Sequence, residues 1–270
     1  MERDQSGGSD YGRDDARDLG DEPPASFRDT APDVLAPIDI SSPVSGHVPG
    51  YALPTPPTSI AQTPEHDWEA ARPLLFPLLR PQGTQGLAVT EIDAAVLATE
   101  AGRSHSQPLV DEGPAGLSVV YAIPGVGFDV IVNADHLLSW GVDVDAIQDA
   151  ALGNLAAWSA TAAWTDEVSG ERRLISSDTG EGWDAARILL PDVLDKLVAE
   201  LGGAGRVLVG LPERHVLVAG ALRPGDDDFA ALFADFVLEQ SGAADEPVDR
   251  RVLELVDGHL VEFAGLHATA

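Results

Sequence analysis

Residues 206–219 read RVLVGLPERHVLVA, two aliphatic runs joined by the four residues Leu211-Pro212-Glu213-Arg214. Valine and leucine in short runs favour strands, and a short proline-containing link between two such runs favours a turn. The pattern therefore predicts a hairpin with strands at 206–210 and 215–219. Because strands joined by a short turn pair antiparallel, this hairpin indicates an antiparallel or mixed sheet.

Two other stretches have the same organisation. Residues 117–132 form β-rich runs around Pro124-Gly125-Val126-Gly127, and residues 252–263 form runs around Asp257-Gly258. Asp-Gly between alternating apolar residues is a strong signal for a tight hairpin turn. The chain is therefore predicted to contain three hairpins, with a further short strand at 173–176.

Three stretches between the hairpins have helical periodicity. The first follows a cap at Asp143 or Asp145, the second begins at Pro191, and the third begins at the acids 226–228. Proline suits the first turn of a helix, and negative charge is favourable at a helix N-terminus. The predicted class is α+β, with about three helices packed on one face of an antiparallel or mixed sheet built from hairpins.

Composition divides the chain into two parts. Residues 1–63 contain nine prolines, repeated Gly, Ser and Asp, and few large apolar residues. Such a segment buries too little apolar surface to offset its ordering entropy, so a disordered acidic tail is predicted. It serves either as a solubilising tail or, through the apolar residues 36–40, as a peptide that binds a partner. Residues 64–270 are predicted to form one domain.

Charge and composition exclude several kinds of function. The chain has 16 Lys and Arg against 45 Asp and Glu, a net charge of −29, and no cysteine. Nucleic acids and anionic membranes bind clustered cations, so neither is an expected partner. Without cysteine there is no thiolate chemistry, and the single lysine, Lys196, lies outside any phosphate-binding motif. We expect a cytoplasmic protein with no membrane span, no cofactor and no metal site.

Five polar residues are the candidates for a ligand site. They are Asn154, Asp184, Arg187, Arg214 and His215. Asn154 interrupts an apolar helix face, where its amide needs hydrogen bonds, and either arginine is suited to pair with Asp184 or with an anion. The alternatives are an ion pair that joins helix to sheet and a small anion-binding site.

The order of several short motifs resembles the YtpQ-like family of bacterial proteins, over about residues 66–265. The motifs are Ile131-Val132-Asn133, Leu137, Trp140-Gly141-Val142, Ala150, Asn154-Leu155, Trp183-Asp184-Ala185-Ala186-Arg187 and Leu211-Pro212-Glu213-Arg214-His215-Val216-Leu217. The resemblance implies a cytoplasmic bacterial α+β domain and brings no established activity, substrate or cofactor. Members usually carry an acidic residue at the position of His215, and this difference puts a role for that residue in doubt.

Two functions are consistent with the sequence. The first is a non-catalytic interaction or scaffold protein, which predicts an exposed apolar groove or sheet edge for a protein partner. The second is an anion-binding protein or a hydrolase, in which Arg187 and Arg214 hold the ligand and Asp184 or His215 transfers protons. The second requires these residues to converge in one concave pocket. The oligomeric state is open, because sheet edges favour pairing and charge opposes it.

Overall fold

Two β-sheets and six α-helices make up the part of the chain that the computed structural model describes, residues 63–99, 104–125 and 127–265. The strands are β1 (Phe76–Arg80), β2 (Leu87–Ala88), β3 (Leu109–Glu112), β4 (Ser118–Pro124), β5 (Asp129–Ile131), β6 (Thr165–Ser169), β7 (Arg172–Ser177), β8 (Arg206–Glu213), β9 (Val216–Leu222), β10 (Val252–Val256) and β11 (His259–Glu262). The helices are α1 (Trp68–Ala71), α2 (Ala94–Thr99), α3 (Ala134–Trp140), α4 (Val144–Ser159), α5 (Pro191–Leu201) and α6 (Asp227–Ala243). All described residues fall in one contact unit.

The first sheet holds five strands and is mixed. Its strands follow the order β1-β4-β3-β2, and β5 also pairs with β4. β2 and β3 are parallel, and the other pairs are antiparallel. Pro77 lies in β1, at the edge of this sheet, where the absence of a proline N–H is tolerated. The pairing of β4 with β5 confirms the predicted hairpin, and β4 continues through Pro124, which pairs with Asp129.

The second sheet holds six antiparallel strands in the order β11-β10-β8-β9-β7-β6. The β8–β9 hairpin forms its centre. One face of this sheet belongs to the larger core, which also contains residues of the first sheet, α4 and α5. The other face forms a smaller core with α6, in which Leu208, Val218 and Leu222 pack with Phe229, Phe233 and Val237. The central hairpin is therefore buried on both sides.

The predicted class is confirmed, and the structure refines its arrangement. The hairpins do not share one sheet, because the 117–132 hairpin lies in the first sheet and the other two lie in the second. The three predicted helices are α4, α5 and α6, and α1, α2 and α3 are additional. The Asp257-Gly258 turn is confirmed, with φ of 50° and 80° at its two residues.

The central hairpin turns later than predicted. β8 continues to Glu213, and the turn lies at Arg214 and His215 rather than at 211–214. The pairing of β8 with β9 shifts between Gly210 and Glu213, around Pro212, which has no N–H to donate to the ladder. The carbonyl oxygens of Leu211 and Pro212 instead accept from Asp249 and Val248 at 2.9 and 3.1 Å.

Side-chain caps set the N-termini of the long helices. The Asp143 carboxylate accepts from the Ala146 N–H at 3.0 Å, and the Asp226 carboxylate accepts from the Phe229 N–H at 3.2 Å. Of the two caps that the sequence allowed for α4, Asp143 and Asp145, the structure uses Asp143, and of the acids predicted at the N-terminus of α6 it uses Asp226 as the cap. Each cap satisfies a backbone donor that has no partner within its helix.

Two further predictions concern the N-terminal tail and helices that span a membrane. The acidic tail predicted for residues 1–63 lies outside the described residues, apart from Thr63. Among the residues that the structure describes, no helix combines the length and the apolar character needed to cross a membrane.

Candidate functional site

Helix α6 covers only part of one face of the six-stranded sheet. It packs mainly on β8, β9 and β10, reaches β7 only near Arg172 and Leu174, and leaves the rest of the same face of β7 and β6 uncovered. A concave surface lies between the helix and these strands, and the volume of its cavity is about 850 Å³. We call it the α6 groove. Its floor consists of Leu174, Ser176, Val216 and Val218, and its wall consists of Phe229, Leu232, Phe233, Phe236 and Gln240.

The wall of the α6 groove exposes large apolar side chains. Leu232 is 58 % exposed and Phe236 is 41 % exposed, whereas Phe229 and Phe233 on the same helix are buried. The apolar stripe of α6 is therefore wider than the sheet surface that it covers. Contiguous exposed apolar side chains around a concave floor are typical of a binding surface.

Two glycines bring α6 close to the sheet. A Cβ on Gly210 would lie 2.5 Å from Cγ2 of Val237, and a Cβ on Gly220 would lie 2.7 Å from Cζ of Phe229. Both distances are shorter than any real carbon–carbon contact of this kind. The strands below α6 therefore need residues without a side chain at these two positions.

An ion pair beside the groove joins β7 to the N-terminus of α6. Arg172 in β7 donates from Nε and Nη2 to the two carboxylate oxygens of Asp226, at 3.0 and 2.6 Å. Asp226 is also the N-cap of α6, and the Arg172 guanidinium lies 5.7 Å from the ring centroid of Phe229. Arg172 holds the pKa of Asp226 below its usual range. The charge of Arg172 is thus neutralised within the protein.

The rim of the groove carries negative charge without a counterion. Glu167 on β6 and Asp178 after β7 are exposed and line the groove. Neither forms an ion pair among the described residues, so an apolar surface is bordered by two free carboxylates.

A second cavity of about 720 Å³ lies beside α3 and the start of α4. Asp111 lines it, and its Oδ2 accepts from the Tyr121 hydroxyl at 2.9 Å and from Gln148 Nε2 at 2.5 Å. Burial and the nearby Asp111 charge raise the pKa of Tyr121, so the phenol stays a donor. The carboxylate thus has partners within the protein.

Asn154 has a structural place. Its Nδ2 donates to the carbonyl oxygens of Arg72 and Leu75, at 2.7 and 2.9 Å. The amide on α4 thereby holds the segment that leads into β1, and it satisfies two carbonyls that belong to no strand.

Asp184 and Arg187 are both buried and are connected through Ser177. The Ser177 hydroxyl donates to Asp184 at 2.5 Å and accepts from Arg187 Nη1 at 2.6 Å. Arg187 also donates to the hydroxyl and the carbonyl of Ser159, each at 3.0 Å, and its guanidinium lies 3.8 Å from the Trp164 ring centroid. Burial lowers the pKa of Arg187 to about 10, which leaves it charged at neutral pH. The direct Asp184–arginine pair suggested by the sequence does not form.

Arg214 forms the ion pair that joins distant parts of the fold. Its Nη1 donates to Asp129 and to Glu246, each at 2.6 Å. Burial raises the pKa of Glu246, but the hydrogen bond and charge of Arg214 outweigh this and lower it overall. His215 follows Arg214 in the same turn, and its Nδ1 is buried without a hydrogen-bond partner among the described residues.

The five candidates do not form one pocket. Arg187 and Arg214 share no hydrogen-bonding partner, and neither lines the α6 groove or the cavity at Asp111. In the described part of the chain, no group of three or more His, Asp or Glu residues is arranged to hold a metal ion. The geometry favours the structural alternative for these residues.

Sequence reasoning did not identify the α6 groove. Leu232 and Phe236 lie at helical spacing with Phe229 and Phe233, so the pattern alone does not separate the exposed positions from the buried ones. The available signal was the number of large apolar residues in α6, which exceeds what one buried stripe requires. Strand order, which decides what α6 leaves uncovered, was not readable from the sequence.

No family model, curated protein or solved structure matches this chain.

Proposed function

We propose that this protein is a non-catalytic interaction domain whose α6 groove binds an apolar face of another protein. The observation that carries the proposal is the exposure of Leu232 and Phe236 beside an uncovered part of the sheet. Removing apolar surface from water contributes roughly 25 cal/mol per Å², and large anchors near the centre of an interface contribute most.

The chemistry of the groove supports binding over catalysis. Its ionisable lining residues are Glu167, Arg172 and Asp178, and the arginine is paired with Asp226. No histidine lines the groove, and no two lining carboxylates are joined by a hydrogen bond. A general acid–base pair requires ionisable groups held in mutual reach.

A neutral amphipathic peptide tests this proposal with the full chain. The probe has about 18 residues, enough to match α6, with leucine at helical spacing and glutamine elsewhere. Fluorescence anisotropy of the labelled peptide should show saturable binding. Leu232→Asp should weaken that binding by about tenfold, because it places a charge on the apolar wall.

Leu238→Asp is the matched control. Leu238 lies on the same helix and is 54 % exposed, but it lines a different cavity, beside Pro247 and Arg250. The control should change the dissociation constant by less than about twofold. Equal losses in the two variants, or no saturable binding up to about 1 mM peptide, would overturn the proposal.

The resemblance to the YtpQ-like family and a cytoplasmic location belong to this proposal as well. They are supported by the motif order, since the resemblance implies a cytoplasmic domain. The anion-binding or hydrolase alternative has no observation in its favour, since Arg214 contacts two carboxylates and Arg187 is buried.

A further inference from the structure

We propose that the partner of the α6 groove is a basic amphipathic α-helix of a different protein. This inference rests on the proposed function, since it assumes that the groove binds another protein. It adds the secondary structure and the charge of the partner segment.

The dimensions of the groove fit a helix. Neighbouring strands lie about 4.8 Å apart, so β6 and β7, together with the part of β9 at Val216 and Val218 that lines the groove, offer a strip on the order of 10 Å wide beside α6. An α-helix with its side chains is about 10–12 Å across. α6 has 17 residues, and a second helix of similar length would lie alongside it and complete the helical layer on this sheet.

The charge of the groove selects a basic helix. The free carboxylates Glu167 and Asp178 lie on the strand side. On α6, Asp235 and Glu239 are exposed and follow Leu232 by three and seven residues, so they lie beside Leu232 and outside the residues that line the groove. The one cation that lines the groove, Arg172, is paired with Asp226. A helix with an apolar stripe and flanking lysines or arginines would place the stripe on the apolar floor and the cations beside the acidic rim.

The same charges disfavour a second copy of this chain. Two grooves placed face to face would bring like charges together on both sides, in a chain whose net charge is −29. Like-charge contacts across an interface cost affinity and slow association. The occupant is therefore expected to come from a chain of opposite charge.

Three peptides of the same leucine pattern test the inference on the full chain. One carries lysine at all polar positions, one carries glutamate, and one is the lysine peptide with two central prolines that prevent a helix. At low salt the lysine peptide should bind at least about tenfold more tightly than the glutamate peptide, and this ratio should fall as salt is added. The proline peptide should bind at least about tenfold more weakly than its parent.

Paired charge variants locate the effect. Glu167→Gln with Asp178→Asn should lower the affinity ratio of lysine to glutamate peptide severalfold. The matched control, Glu112→Gln with Asp149→Asn, removes two exposed carboxylates that line a different cavity, so the ratio should stay unchanged.

The outcomes separate the two proposals. Equal affinity for the lysine and glutamate peptides, both weakened by Leu232→Asp, would overturn the basic partner and leave the groove as a binding surface. A proline peptide that binds as tightly as its parent would overturn the helix and point to an extended segment. Loss of the Leu232→Asp effect for every peptide would overturn both proposals.

Discussion

Arg187 shows at the residue scale how a charge is held in the interior of this protein. It is 1 % exposed, and its guanidinium contacts two serines, carbonyl oxygens and an aromatic face rather than a carboxylate. Because these contacts come from three segments, Arg187 connects α4, the loop after it and the end of β7. Truncation would leave Asp184 as a buried carboxylate with no cation behind its serine.

We predict that Arg187→Ala lowers the free energy of unfolding by about 3 kcal/mol or more. The variant removes the buried positive charge that balances the buried Asp184 carboxylate through Ser177. Urea denaturation gives this value. Arg173→Ala is the comparison, because Arg173 pairs with Asp166 and Glu200 in partly exposed positions. The loss in this variant should be much smaller, because ion pairs in exposed positions contribute little to stability. Similar losses for both variants would contradict the structural role assigned to Arg187.

His136 gives the fold a pH dependence. Its Nδ1 accepts from the Asn133 N–H at 3.1 Å and completes a capping box at the start of α3. Burial lowers the pKa of His136, so the folded state favours the neutral ring. Its contribution to stability is therefore fully present above the unfolded pKa of about 6.5 and is lost as pH falls through the folded pKa.

We expect the melting temperature to fall between about pH 7.5 and about pH 5.5, before most carboxylates titrate. His136→Gln keeps an acceptor at the same capping position but does not ionise. This variant should show a smaller fall over the same range. A fall of the same size in the variant would assign the pH dependence to other groups.

At the scale of elements, the glycines under α6 matter more than those within helices. A Cβ at Gly210 meets Val237 and Val218, whereas a Cβ at Gly153 in α4 meets nothing within 4 Å. Gly210→Ala should cost about 1–3 kcal/mol, because α6 must move away from the sheet. Gly153→Ala should stabilise by roughly 0.5–1 kcal/mol, because alanine is the better helix former. Denaturant midpoints that move in the same direction would contradict this.

Helices and strands whose own residues carry a cap, a periodicity or a turn were predictable from the sequence. Those that form only through contact with distant segments of the chain were not. α4, α5, α6 and the three hairpins carry caps, periodicity or turn residues in their own sequences. α3 has a capping box in which histidine replaces the usual glutamate, so its signal was missed. β1 contains a proline and becomes a strand because β4 lies beside it. Among the candidate residues, the need of Asn154 for hydrogen bonds was predictable, but their separation from one another depends on the sheet order.

At the scale of the whole molecule, negative charge is the dominant electrostatic feature. Among the described residues most arginines pair with carboxylates, which leaves a large excess of unpaired acid. Raising ionic strength from about 10 mM to about 1 M shortens the screening length from about 30 to about 3 Å. Repulsion among the unpaired carboxylates, which acts over longer distances, should therefore weaken more than the ion pairs do. The melting temperature should then rise. Sodium chloride titration by calorimetry measures this, and a falling melting temperature would indicate that the ion pairs dominate.

The central hairpin has a further consequence for the order in which the protein assembles. β8 and β9 are joined by a turn at Arg214 and His215 and contribute side chains to both cores. Two strands joined by a short loop pair quickly, because closing a short loop costs little chain entropy. We infer that this hairpin is the folding nucleus, and that amide exchange in β8 and β9 occurs only through global unfolding. A chain that loses either core would still retain this pair of strands longest, so partial unfolding of the molecule proceeds from its edges inward.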